Sequence, residues 1–290
     1  MSNPLEIINQ AENMLYAVVM TMSPLQSSRV RATMGAQAHA AFLATVREAD
    51  YTLARTLHWP EIPQRPFTVS RLEGTEPARN GWLYLDPQTL YWWRFTGLYP
   101  PIFRNFIEHF LKGNRPPVVR LGEAYFSIHE ILVTSHGHSW AGYTTWADLA
   151  SNSYPTEAIR LEFHTATAFG LGQQSWGKRI GVLPDPRLVF DSLARSWNPY
   201  APAPLHIDRK ALRDYIDRAV IIKRIEGLRT RMLHFKRVYQ IGFTGQVTYG
   251  LMEENIQLQT QMDTLANFAF YAGVGMKRSM GMGQVRRLEV

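Results

Sequence analysis

Short apolar runs alternate along this chain with segments whose apolar residues recur every three or four positions. Residues 14–22 (MLYAVVMTM), closed by Ser23-Pro24, read as a buried strand. Phe42, Leu43, Val46, Asp50, Leu53 and Leu57 recur at three- and four-residue steps, so residues 36–58 are predicted to form one helix that stops before Pro60. Residues 66–72 (PFTVSRL) and 90–98 (LYWWRFTGL) are strand-like in their β-branched and aromatic content; within the second, the alternation sends Trp92 and Trp93 to opposite faces. A helix at 100–112 and a strand at 124–134 complete the order βαββαβ.

Residues 135–155 lose this periodicity and carry Gly, Ser, Asn and Pro, which places a domain boundary there and divides the chain into 1–145 and 146–290. The second part repeats the order of the first. A strand at 160–169 is followed by Asp185-Pro186, an N-cap with proline at the first helical position, opening a helix through Leu188, Val189, Leu193 and Trp197. Two strands occupy 220–251; in the second, Ile241, Phe243, Val247, Tyr249 and Leu251 alternate with Gln240, Thr244, Gln246 and Thr248. A helix through Leu258, Met262, Leu265 and Ala269 and a last strand at 284–290 close the unit. The fold class read from this pattern is α+β, as two tandem ferredoxin-like (RRM-like, βαββαβ) domains.

Composition narrows the chemistry. The chain has no cysteine, which removes thiol nucleophiles, disulfides and thiolate metal sites. The His136-Gly137-His138 stretch, with His129 nearby, lacks a carboxylate cluster and reads as a polar linker, so no metal site and no cofactor are expected. No apolar run reaches the length of a membrane span, and the acidic Glu6 and Glu12 do not suit a signal peptide; the expectation is a cytoplasmic protein. Net charge is +7, and arginine outnumbers lysine 25 to 6. Much of the excess lies in residues 219–250, where Lys223, Arg224, Arg229, Arg231, Lys236 and Arg237 face a single acid, Glu226. Such a stretch suits anionic partners.

Residues 273–283 read GVGMKRSMGMG. Because the loop runs from a helix into a strand, it is not the strand-to-helix phosphate cradle of nucleotide-binding folds. Glycines here allow close backbone approach, with Lys277, Arg278 and Ser279 as phosphate donors in the middle. The loop matches the pattern G-h-G-x-x-x-x-x-G-h-G (h apolar) of the RAMP superfamily. With Leu57-His58 ahead of PFTVSRL, FHTATAF (163–169), PDPRLVFDSLARSWN (184–198) and GFTGQVTYGL (242–251), the chain resembles the CRISPR-associated repeat-processing endoribonucleases of that superfamily.

The resemblance implies metal-independent cutting of precursor CRISPR RNA within each repeat. A histidine activates the ribose 2′-hydroxyl, leaving a 5′-hydroxyl and a 2′,3′-cyclic phosphate on the guide RNA. It implies His58, at the end of the first helix, as the general base, with Tyr51 and Arg55 on the same helix face at i, i+4 and i+7. No lysine precedes Lys112, so Arg55 or Arg65 takes the role of stabilising charge on the phosphate. His39 is the alternative base; its place on the apolar stripe reads as a packed core residue, and an unbroken helix would hold it roughly 28 Å from His58. RNA-binding positions are Lys223, Arg224, Arg229, Arg231, Lys236 and Arg237 in the basic stretch and Gly273, Gly275, Lys277, Arg278, Ser279, Gly281 and Gly283 in the loop. The implied partner is CRISPR repeat RNA, with an effector complex and a homodimer as further associations. The alternative function is a non-catalytic RAMP-fold RNA-binding subunit of such a complex.

Overall fold

A computed structural model describes residues 13–58, 64–102, 104, 110, 117–235 and 238–290, and of Thr56, His58 and Val238 the backbone only. Two compact units emerge, one of Met1–Thr145 with Ser279–Gly281, the other of Trp146–Arg278 with Met282–Val290.

In the first unit β1 (Met14–Pro24) is followed by β2 (Ser28–Arg31), α1 (Gly35–Ala49) and α2 (Tyr51–His58). Then come β3 (Phe67–Glu73), β4 (Trp82–Leu85), β5 (Tyr91–Gly97), β6 (Val118–Leu121), β7 (Ala124–Leu132) and β8 (Gly142–Thr145). The main sheet has the order β3-β5-β1-β7-β6, with β8 also paired to β1; β2 and β4 form a separate two-stranded ribbon. Tyr16, Val18, Met20 and Met22 of β1 share a core with Phe42, Phe67, Phe95 and Phe126. Trp93 is fully buried, its indole N–H donating to the Ser70 carbonyl at 3.2 Å, and Trp92 on the opposite face is half-buried.

The predicted single helix is two. Asp50 is extended (φ −152°, ψ 104°); its N–H ends α1 on the Val46 carbonyl, and its Oδ1 accepts the Leu53 N–H at 2.9 Å to start α2. One residue thus closes one helix and caps the next, a contact of about 1 kcal/mol. The helix expected at 100–112 falls largely outside the described residues.

The second unit opens with α3 (Trp146–Ser151) and β9 (Ala158–Thr167), then a hairpin of β10 (Phe169–Gln174) and β11 (Gly177–Gly181). After α4 (Pro186–Trp197) and α5 (Arg209–Ala219) come β12 (Val220–Phe235), β13 (Val238–Leu251), α6 (Ile256–Ala272) and β14 (Val285–Leu288). Asp185 accepts the Leu188 N–H with Pro186 at the first helical position, as the sequence indicates. The stretch expected to be an irregular linker therefore contains β8 and α3, and Trp146 of α3 packs edge-on against Trp197, ring centroids 4.9 Å apart.

The sheet order here is β12-β13-β9-β14. Taking the four main strands of each unit in order of appearance, both sheets read second, third, first, fourth, with every neighbour antiparallel. This is the ferredoxin-like arrangement, made twice. Among the described residues, no helix is long and apolar enough to cross a membrane.

Candidate nucleic-acid interface

The sheet of the second unit has an apolar face and a charged one. Leu161, Phe163, Val247 and Tyr249 are buried on the first. Pairing places Arg160, Glu162, Gln246 and Thr248 on the other, with Arg286 of β14 opposite Glu162. Arg160 donates to both Glu226 and Gln246 at 2.7 Å, and Arg286 to Glu162 at 2.6 Å. The strand alternation of Arg160, Glu162 and His164 was the sequence signal for this face, which the basic stretch alone does not reveal.

β12 and β13 extend the charged face as a long hairpin. Arg224, Glu226, Arg229 and Arg231 lie opposite Thr248, Gln246, Thr244 and Gly242. The step from 226 to 229 would break the two-residue alternation; a bulge restores it. Gly227 takes φ 59° there, and a Cβ on Gly245 would lie 2.9 Å from the Glu226 carbonyl oxygen. The bulge therefore keeps all four charged residues on one side. A shallow groove of about 410 Å³ runs beside it, lined by Glu162, His164, Arg229, Arg231, Thr244 and Gln246 among others. Lys223, Arg224, Arg229 and Arg231 are exposed. Arg224 is tied to Glu226 at 3.1 Å. Lys236 and Arg237 lie outside the described residues. At the distal end the expected alternation fails, since Ile241 is 42% exposed and Gln240 is buried.

The glycine loop corrects several expectations. Gly273, Gly275, Gly281 and Gly283 all have positive φ, between 64° and 85°, as does Lys277 at 55°. A Cβ at 275 would fall 2.4 Å from the Ala168 carbonyl oxygen, and one at 283 would fall 2.1 Å from that of Val274. The close approach that demands glycine is thus to the protein's own backbone. Arg278, expected as a phosphate donor, is 7% exposed and donates to the Ala272 carbonyl at the end of α6 at 2.6 Å. Burial lowers its pKa to about 10, with nearby Arg195 adding to the shift and Tyr200 opposing it. Ser279 is also buried. Lys277 is half-buried with its ammonium 4.0 Å from the Phe235 ring centroid, and its pKa is lowered by burial and then by Lys178.

In the first unit, Leu53, Ala54 and Leu57 bury one side of α2 and leave Tyr51 and Arg55 exposed together on the other. The His58 side chain lies outside the described residues. Arg65 is half-buried and donates to the Leu57 carbonyl, which engages it with the end of α2. His39 is not the core residue expected from its place on the stripe. It is half-buried, its ring stacks on Phe67 at 5.8 Å, and its Nδ1 lies 3.1 Å from the Ser279 carbonyl oxygen. The loop tip is held there by the Gly281 N–H on the Val69 carbonyl. A Cβ on Gly35 would meet the Met280 carbonyl oxygen at 1.8 Å, so only glycine admits the tip to the first turn of α1. The cue for Gly35 was a glycine opening a helix whose preceding Met34 makes no side-chain cap. Because α1 and α2 are separate helices, the separation expected of one unbroken helix does not apply to His39 and His58. Of the histidines weighed as metal ligands, His129 of β7 binds Ser23 Oγ at 2.8 Å and His138 Nδ1 accepts the Trp140 N–H at 3.1 Å. No group of three or more His, Asp or Glu converges among the described residues.

Family models match consecutive parts of the chain: the CRISPR Cas6 N-terminal domain over residues 14–151, and the CRISPR-associated endoribonuclease Cas6 over residues 161–285. Among solved structures, Thermus thermophilus Cas6 is 27% identical with a TM-score of 0.72, over 96% of this chain and 100% of its own. Its product complex is 28% identical at the same coverage, with a TM-score of 0.80. A RAMP protein described as binding different RNA substrates, 16% identical over 94% of this chain and 100% of its own, has a TM-score of 0.60 and shows likeness of fold. No curated protein matches. The doubled ferredoxin-like order, the glycine loop and the two family matches lead to one assignment, that the chain belongs to the Cas6 family of CRISPR-associated endoribonucleases.

Proposed function

We propose that this chain cuts precursor CRISPR RNA within its repeats, without a metal ion, by attack of a ribose 2′-hydroxyl on the adjacent phosphate. A general base takes the 2′-hydroxyl proton, the oxygen bonds to phosphorus, and the bond from phosphorus to the 5′ oxygen breaks. The departing oxygen takes up a proton. The products are a 2′,3′-cyclic phosphate and a 5′-hydroxyl. Support for the substrate comes from the family and from the Thermus relative solved with its product.

The observation that carries the chemistry is the Ser279 carbonyl against His39 Nδ1. A carbonyl only accepts, so Nδ1 carries the proton, and the neutral ring keeps its basic lone pair on Nε2. The same carbonyl steadies the imidazolium once Nε2 has taken a proton, the service an orienting carboxylate gives elsewhere. This favours His39 as the base. His58, with Tyr51 and Arg55 on its helix, is the competing assignment, supported by its position at the helix end in the sequence.

Single-turnover cleavage of repeat RNA in EDTA tests both. His39→Ala is expected to slow cutting by roughly 10²- to 10⁴-fold with affinity little changed, while His58→Ala cuts normally. The reverse result makes His58 the base. Replacing the ribose 5′ of the cut by its deoxy form should block cutting and spare binding. Cutting of that RNA, or a requirement for a divalent ion, would refute the chemistry, and binding without any cutting would favour the non-catalytic subunit.

A further inference from the structure

The ribbon of β2 and β4 takes no part in the site described so far. Its pairing sets Arg29 opposite Tyr84 and Arg31 opposite Trp82. The pleat buries Val30, Leu83 and Leu85 on one face and turns the two arginines and two aromatics to the other. The turn into β4 is Asn80-Gly81, with φ of 50° and 77°, the pair of positive values a tight two-residue hairpin requires. It closes Arg79 on Trp82 through backbone hydrogen bonds of 2.9 and 3.0 Å. The Arg31 and Arg29 guanidinium carbons lie 3.9 and 4.6 Å from the Trp82 ring centroid, and Tyr84 is 58% exposed. Among the described residues no carboxylate pairs with Arg29, Arg31 or Arg79.

This face presents planar cations and aromatic rings and no aliphatic side chain. Stacking on the indole orders the guanidiniums before any ligand arrives, so little side-chain freedom is left to lose on binding. Their N–H groups can meet phosphates, while Tyr84 offers a flat surface for a base. Unpaired nucleotides present that alternation of planar base and anionic phosphate; a paired stem hides its base faces, and an acidic protein surface would make no use of Tyr84.

We propose that the outer face of the β2–β4 ribbon binds unpaired nucleotides flanking the paired part of the repeat, with Tyr84 stacking a base and Arg29, Arg31 and Arg79 contacting phosphates. The inference rests on the proposed RNA-processing function. It adds a binding surface that extends the RNA footprint beyond the cut site and makes affinity depend on what adjoins the repeat.

The test compares a minimal repeat stem containing the cut with the same stem carrying single-stranded extensions, each blocked by a 2′-deoxy ribose at the cut, by fluorescence anisotropy. The full chain is expected to bind an extended RNA roughly tenfold more tightly than the bare stem. Arg29→Ala/Arg31→Ala/Tyr84→Ala should abolish that advantage and bind the bare stem as the parent does. Tyr84→Ala alone should erase the difference between a normal and an abasic extension, and Arg29→Lys/Arg31→Lys, which keeps the charge, should retain part of the advantage. All replaced side chains are exposed, and an unchanged melting temperature confirms folding. An equal advantage from the extension in parent and triple variant would overturn the proposal, as would no advantage in the parent. Failure of the parent to cut the unblocked bare stem would instead count against the RNA-processing reading.

Discussion

Arg278 shows how one side chain's surroundings decide its role. In sequence it sits between lysine and serine in a glycine loop, where a phosphate contact is the natural reading. In the fold it is buried and bonds the carbonyl that ends α6. Removing it leaves that carbonyl without its partner and the loop without its filling. Arg278→Ala is therefore expected to cost roughly 2–3 kcal/mol in urea unfolding, with the salt dependence of RNA binding unchanged in the folded fraction. A stable variant with a shallower salt slope would return Arg278 to the RNA surface. His138 makes a comparable case in the first unit. Burial, and then Arg94, lowers its pKa from the usual 6.5, and its Nδ1 accepts the Trp140 N–H, a bond only the neutral ring can make. Its folded pKa lies below its unfolded one, so the unfolded chain binds the proton more readily. Its contribution is complete above the unfolded pKa and is lost as pH falls through the folded one. Melting temperature should drop between about pH 7.5 and pH 5, and His138→Gln should flatten that drop. An identical pH profile in the variant would show that the ring does not titrate with folding.

At the scale of elements, periodicity in the sequence locates what packing dictates. β1, β3, β5 and β9 stand within a few residues of their apolar runs, because a strand buried on a core must carry that pattern. What periodicity misses depends on single polar residues or on partners far away in sequence. The helical repeat continues across Asp50, yet its carboxylate bonds the Leu53 N–H and its backbone turns extended, so one predicted helix becomes two. Asn80-Gly81 is a turn signal, but β2 and β4 are short and 50 residues of intervening chain hide their pairing. Glycines announce tight geometry without saying whose backbone comes near. In the loop it is Ala168 and Val274, and for Gly35 it is Met280. The exchange of His39 from core residue to candidate base has the same origin, since its partner lies 240 positions away.

Over the whole molecule, a large share of the excess positive charge gathers on the charged sheet face and hairpin of the second unit. The chain carries +7, and four of its exposed cations stand on the β12–β13 hairpin, three of them in the row that the bulge keeps on one side. They are not equivalent. Glu226 draws on Arg224 at 3.1 Å and on Arg160 at 2.7 Å, whereas among the described residues no carboxylate pairs with Arg229 or Arg231 beside the groove. A cation already neutralised by a neighbouring carboxylate displaces fewer counterions when it meets a phosphate, so its removal should alter the salt dependence less. Arg229→Ala/Arg231→Ala is expected to reduce the slope of log affinity against log salt by roughly 0.9 for each phosphate that the variant no longer neutralises, weakening binding at low salt far more than at high salt. Arg224→Ala should change it by a fraction of that, and Glu226→Gln, which releases Arg224 and Arg160, should steepen it. The measurement is affinity for uncleavable repeat RNA across a potassium chloride series. Equal slopes in the Arg229/Arg231 and Arg224 variants would mean that pairing with Glu226 does not govern which hairpin cations meet RNA.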